Sequence, residues 1–280
     1  MVRHIIPSSL NEALKYLSEG TFRIMAGGTD LMIQRRSSAG TPPRFEQDIL
    51  YLANLSELKY IVKSNGYIHI GSMTKLADIQ KSEEAPLLLR KVVSEIGGPA
   101  IRHVSTIGGN IGNASPAGDG LVALYLLDAK IVVESVEGER LIPIEEFIVG
   151  VRKIVLRPNE LIKEIVVPDT KFDYVKWVKV GGRKADSISK VSFAGAYSLK
   201  DGVIEDLRLA FGSVSATVAR SRALEASCKN HKIAEIKRDL PRILEECGKI
   251  ISPIDDQRSN KAYRRKVAIN IAEHFLKHIE

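Results

Sequence analysis

Cysteine is nearly absent. Cys228 and Cys247 are the two thiols in 280 residues. Two thiols cannot ligate an iron–sulfur cluster or fill a four-cysteine zinc site. They cannot build a disulfide scaffold either, and the count points to a reducing cytoplasm. Each reads as a small buried apolar group. Aromatics are sparse, at 6%. With 44% hydrophobic and 27% charged residues the chain still has the composition of a folded globular protein. Long apolar runs are missing. No stretch reaches the roughly 18 consecutive apolar residues of a membrane helix, so no membrane span is expected. Residues 1–10 carry one arginine and no long apolar core, so a signal peptide is not expected.

Charge is unevenly spread. Residues 1–170 hold 19 Lys+Arg and 20 Asp+Glu, whereas residues 171–280 hold 22 and 14. The net values of −1 and +8 sum to the +7 of the whole chain. Charge alone suggests a domain boundary near residue 170. A basic half can meet nucleic acid or an acidic protein, although a solvated helical face is the simpler reading.

The element pattern opens with a strand at 4–6 and a helix from Ser9 to about Ser18. Ser9-Leu10-Asn11-Glu12 has the form of a capping box. Strands at 21–26 and 48–52 flank a short helix at 31–36. Together these form a small α/β lobe of about 55 residues. Two strands around Asn65-Gly66 then read as a hairpin. Helices are expected at 74–80 and 85–96, and again at 121–128 after an irregular glycine-rich stretch. Strands follow at 130–135 and 161–167. The last part shows strands at 175–180, 191–199 and 204–211, the final two joined at Asp201-Gly202. Helices are expected at 217–228, 233–248 and 260–279. In the last, Val267, Ile271, Phe275 and Ile279 recur on one face.

Two glycine loops carry the chemistry. The first is Ala26-Gly27-Gly28-Thr29-Asp30, directly after a strand. Adjacent glycines let the backbone bend and come close to a ligand. Successive amides can then cradle phosphate oxygens. The loop lacks the three spaced glycines of a Rossmann fingerprint and the Gly-Lys-Ser/Thr of a P-loop. The second spans residues 105–119 and offers Thr106 and Ser115 hydroxyls, Asn110 and Asn113 amides and the Asp119 carboxylate. Such groups suit a diphosphate and a polyol. The two loops together suggest a large phosphate-bearing ligand held by separate segments. A side chain at Gly27 or Gly109 is expected to fill the approach of its diphosphate. His274 and His278 share a helix face, but no His-Glu-x-x-His pattern accompanies them, so no metal site is assigned.

The pairing of Ala26-Gly27-Gly28-Thr29-Asp30-Leu31 with Thr106-Ile107-Gly108-Gly109-Asn110-Ile111 and Ala114-Ser115-Pro116-Ala117-Gly118-Asp119 resembles the FAD-binding medium subunit of the xanthine dehydrogenase family of molybdenum hydroxylases. The resemblance extends over nearly the whole chain. It includes residues 156–162 and the Lys179-Val180-Gly181-Gly182-Arg183 stretch. It implies an α+β fold. A two-lobed FAD domain of the vanillyl-alcohol-oxidase (PCMH) type would fill 1–170, with lobes of about 1–55 and 56–170. A small three-strand, three-helix domain of the CO dehydrogenase flavoprotein type would fill 171–280.

The resemblance also implies a cofactor site. Ile24, Met25, Ala26, Gly27, Gly28, Thr29, Asp30 and Leu31 would wrap the FAD diphosphate. Thr106, Gly109, Asn110 and Asn113 would complete that pocket, and Asp119 would accept from ribityl or ribose hydroxyls. Ile96 and Ile162, or Leu161 beside it, would pack on flat rings. Lys179 would bring a donor or positive charge to the flavin end, with Arg183 a second tuning candidate. No catalytic acid or base is assigned. A large molybdenum-cofactor subunit and a small [2Fe-2S] subunit are the implied partners, and NAD+, oxygen or another carrier the acceptor. The substrate leans toward a purine or other N-heterocycle. A stand-alone flavin oxidoreductase on the same fold is the alternative. A nucleic-acid-binding module is a third reading, and it would bind with steep salt dependence.

Overall fold

The computed structural model describes residues 2–280. The first lobe holds β1 (His4–Ile5), α1 (Leu10–Glu19), β2 (Phe22–Met25), α2 (Leu31–Gln34) and β3 (Asp48–Tyr51). Its strands form a parallel sheet in the order β1-β3-β2. Helix α1 buries Leu10, Ala13, Leu14 and Leu17 against Leu50. Ser9 caps it by accepting the Glu12 amide at 3.2 Å. The expected box does not close. The Glu12 carboxylate takes the Ser8 amide and hydroxyl instead, both at 2.7 Å.

The second lobe contains β4 (Ile61–Ser64), β5 (Tyr67–Gly71), α3 (Leu76–Lys81), α4 (Leu87–Ser94), α5 (Pro99–Val104), α6 (Ile107–Asn113) and α7 (Asp119–Leu126). It continues with β6 (Lys130–Ser135), β7 (Gly138–Pro143), α8 (Ile144–Phe147), β8 (Ile148–Gly150), β9 (Lys153–Ile154) and β10 (Leu161–Pro168). An antiparallel sheet runs β4-β5-β10-β6-β7. Asn65 and Gly66 both take positive φ, 50° and 78°, as a tight primed hairpin turn requires.

Part of the expected irregular stretch is helical. Residues 99–104 and 107–113 form α5 and α6, with Thr106 capping α6 through the Gly109 amide at 3.0 Å. Three glycines hid α6, and the Gly97-Gly98-Pro99 run hid the short α5; tertiary packing overrides local propensity. Gly108 shows why. A Cβ there would lie 2.6 Å from Ser72 Cβ and 2.7 Å from Ser72 O, so only glycine lets α6 seat against the turn after β5.

The C-terminal domain comprises β11 (Tyr174–Val180), β12 (Val191–Lys200), β13 (Val203–Gly212), β14 (Ala219–Arg220), α9 (Arg222–Cys228), α10 (Ile233–Arg238), α11 (Leu240–Ile250) and α12 (Lys261–Lys277). The three expected strands form an antiparallel meander, and the two-residue β14 adds a fourth. The helix expected over 233–248 is two. Pro241 in the first turn of α11 has no amide to continue α10, and the break falls at Asp239. The helix count is therefore four.

This sheet is buried on both faces. Phe193, Tyr197 and Phe211 join the core under α9–α12, while Ala194, Ala196 and Ala210 face the second lobe. Their small side chains let α7 approach. All eight residues of α7 are buried, as expected of a helix apolar all round. Arginines hold its carbonyl end. Arg208 donates to Leu126 O at 3.0 Å, and Arg220 to Tyr125 O and Leu126 O. Asp128 pairs with both guanidinium groups at 2.7 Å. Cations at a helix C-terminus complement its dipole. Among the described residues, no helix is long and apolar enough to cross a membrane.

Candidate functional site

A cleft of about 1380 Å³ lies where the two lobes meet the C-terminal domain. It exceeds the usual range for drug-sized ligands and has room for a dinucleotide. The first glycine loop forms part of its wall, between β2 and α2. Gly28 sits at φ +69°, which a glycine adopts without strain. The amides of Gly27, Gly28, Thr29 and Asp30 have no acceptor among the described residues. Four neighbouring donors without protein partners are a ready cradle for phosphate oxygens.

The second loop contributes differently. Its first amides are already taken: Ile107 donates to Thr74 O at 3.1 Å and Gly108 to Ser72 O at 2.8 Å. Gly109 donates to the Thr106 hydroxyl. So α6 supplies shape. A Cβ on Gly109 would meet Thr106 Oγ1 at 2.9 Å and Ala26 Cβ at 3.6 Å, in the gap between the loops. Asn110 Oδ1 is buried without a partner, against Gly120, where a Cβ would lie 2.5 Å away.

The cleft brings together Ile24, Ala26, Gly27, Gly28, Thr29, Asp30 and Leu31 from the first lobe. Opposite them lie Ile96, Thr106, Gly109, Asn110, Asn113, Asp119 and Ile162, and Lys179 comes from β11. Two expected residues stand elsewhere. Leu161 is fully buried in the core with Leu50 and Met73, because successive strand residues face opposite sides and Ile162 takes the cleft side. Met25 is not on the wall; its side chain lies behind Gly28. Gly27 also has a different reason for being glycine. A Cβ there would strike Val104 O at 2.2 Å, so it lets the two loops close on each other.

Asp119 and Lys179 form a buried pair. Lys179 Nζ lies 2.8 Å from Asp119 Oδ2 and donates to Glu95 O at 2.7 Å. Ser189 donates to Asp119 Oδ1 at 2.6 Å. Both carboxylate oxygens thus already hold protein donors, and the pair ties α7 to the C-terminal domain. Burial pushes the Asp119 carboxyl up, against the opposing pull of Lys179 and Ser189. Arg183 lies on an exposed loop and donates to Ala185 O and Asp186 O. His103 is exposed on α5, beside Pro99 O.

Sequence reasoning missed the cleft mouth. Gln34 and Arg152 line it and meet at Asn113. Residues 144–155 show no strong period, and the turn at Gly150-Val151-Arg152 is the local signal for the hairpin there.

Residues 1–170 match the family model described as the FAD binding domain in molybdopterin dehydrogenase. Residues 176–279 match that of the CO dehydrogenase flavoprotein C-terminal domain. The chain belongs to this FAD-binding family. It is the FAD subunit of a molybdenum hydroxylase-type dehydrogenase. The glyceraldehyde dehydrogenase medium chain of Sulfolobus acidocaldarius is 32% identical over 94% of this chain and 93% of its own. The xanthine dehydrogenase FAD-binding subunit of Escherichia coli is 30% identical, covering 92% and 88%. The structure of carbon monoxide dehydrogenase from Hydrogenophaga pseudoflava superposes with a TM-score of 0.87 at 25% identity, over 98% of this chain and 95% of that one.

The cleft fits this family's cofactor. The free amides of residues 27–30 suit a diphosphate, and the glycine-lined gap leaves room for it. Ile96 and Ile162 offer apolar surface for planar rings.

Proposed function

We propose that the cleft holds FAD, with its diphosphate on the amides of residues 27–30. Electrons would then pass from iron–sulfur clusters of a small partner subunit to NAD+ or another acceptor. Bound FAD supplies exchange between single-electron carriers and a hydride acceptor. The chain supplies position. Amides of the first loop bind the diphosphate, and α6 bounds the gap through Gly109. Ile96 and Ile162 exclude water from the rings. The buried Lys179–Asp119 pair joins β11 to α7 and fixes that part of the wall. The observation that carries this reading is the cradle of four free amides in the cleft of a family FAD domain.

A large molybdenum subunit would oxidise the substrate. The names of relatives that act on xanthine, nicotinate and caffeine favour an N-heterocycle. The glyceraldehyde relative at 32% identity favours an aldehyde as the second reading. Steady-state assays of the purified complex with each class decide between them. The free, buried Cys228 and Cys247 support a cytoplasmic complex.

Gly109→Leu tests the cofactor placement. Its side chain fills the gap between the loops, so a folded variant should purify without the flavin absorption band. A variant with unchanged circular dichroism and full FAD content would place the cofactor elsewhere.

A further inference from the structure

Four polar side chains from three distant segments meet at the cleft mouth. Arg152 Nη1 lies 2.7 Å from Asn113 Oδ1 and 3.4 Å from Asp30 Oδ2. Gln34 Nε2 donates to Asn113 Oδ1 at 2.9 Å and also to Asp30 Oδ2. Arg152 occupies the tip of the β8–β9 hairpin with φ +55°, an uncommon backbone state for a residue with a side chain. Its amide donates to Ala114 O at 3.0 Å. The hairpin tip is therefore pinned to the second lobe while its guanidinium reaches the first. Arg152 Nε and Nη2 have no partner among the described residues.

Asp30 ends the glycine loop. It lines the same cleft wall as the free amides of residues 27–30, so a diphosphate bound there would meet a like charge. The site therefore needs a cation there. Arg157, Lys179, Arg258 and Arg264 also line the wall, but they face Glu160, Asp119 and Asp256, and Arg23, on β2, makes no ion pair with Asp30 among the described residues. Arg152 already touches Asp30 and keeps free N–H groups. A guanidinium suits phosphate because its planar fork donates in pairs.

We propose that Arg152 recognises the cofactor's diphosphate, screening Asp30 and donating its free N–H groups to the phosphate oxygens. The β8–β9 hairpin is then the second jaw of the site, opposite the glycine loop. The proposal rests on the placement of FAD in this cleft. It makes Arg152 a source of selectivity for a dinucleotide over a flavin without phosphate.

The test compares the full chain with Arg152→Ala, Arg152→Lys and Gly109→Leu. FAD release is followed by fluorescence, and riboflavin affinity is measured on the flavin-free proteins. Arg152→Ala is expected to release FAD about ten- to hundredfold faster, the loss of hydrogen bonds to a charged group. Its riboflavin affinity should stay within about twofold, because riboflavin has no phosphate for Arg152 to bind. Arg152→Lys should fall between, keeping charge without the fork. If Arg152→Ala holds FAD like the parent while Gly109→Leu loses it, the placement stands and the role of Arg152 is overturned. Equal losses of FAD and riboflavin in Arg152→Ala would show a merely structural hairpin and overturn it too. If Gly109→Leu keeps FAD, the placement fails and the proposal falls with it.

Discussion

Neighbouring residues on one strand divide the labour between fold and site. On β10, Leu161 points into the core beneath α1, and Ile162 faces the cleft. Leu161→Ala is expected to cost about 2–5 kcal/mol of stability, the usual range for truncating a buried leucine. It should leave the bound-flavin spectrum unchanged. Ile162→Ala should shift that spectrum and weaken FAD retention. Urea melts and absorption spectra of both variants check this pair, and a flavin change confined to Leu161→Ala would reverse the assignment. The sequence alone left these two residues as alternatives, because adjacent aliphatics look the same until the strand's faces are known. The glycine loop was easier to read, since a Gly-Gly pair after a strand has few uses. Its reasons still divide: Gly28 takes a positive φ, and Gly27 clears Val104 O.

Whole elements were legible where a period or turn marked them. The Asn65-Gly66 and Asp201-Gly202 hairpins and the apolar α7 fall where the pattern sets them. Helices α5 and α6 did not announce themselves. The glycines of α6 form a helix because Ser72 gives it a seat and Thr106 a cap, and Ser105 closes α5 through Ile101 O. Gly108→Ala tests this. In an ordinary helix interior that change would gain about 1 kcal/mol. Here the new methyl meets Ser72, so a loss of about 1–3 kcal/mol is expected from overpacking. A thermal melt that rises would show that α6 is not packed by glycine. The β8–β9 hairpin lay beyond sequence reasoning because its partners, Asp30 and Asn113, are distant in the chain.

Across the molecule, the two domains are joined by charge as well as by apolar contact. Burial would raise the Asp128 carboxyl, yet Arg222, Arg220 and Arg208 together hold it below the ordinary carboxylate value. A carboxyl lowered in the folded state stabilises above its unfolded pKa of about 3.9. That contribution is lost as pH falls through the lower folded value. Asp128→Asn should therefore cost about 1.5–3 kcal/mol at pH 7, the range for hydrogen bonds to charged groups. Below pH 4 its stability should fall less steeply than the parent's. Urea midpoints at pH 7 and pH 3 measure this, and parallel slopes would remove Asp128 from the domain clasp. The charge step near residue 170 hinted at two parts, but the arginine clasp that unites them became visible only in three dimensions.

The same assembly sets the cleft proposed to hold FAD, whose walls come from both lobes and from β11. The most direct test of the account is a crystal structure of the chain with its flavin bound. The expected density places the diphosphate within hydrogen-bonding distance of the amides of residues 27–30, with rings against Ile96 and Ile162. A flavin seated outside this cleft, or a diphosphate turned away from those amides, would contradict it.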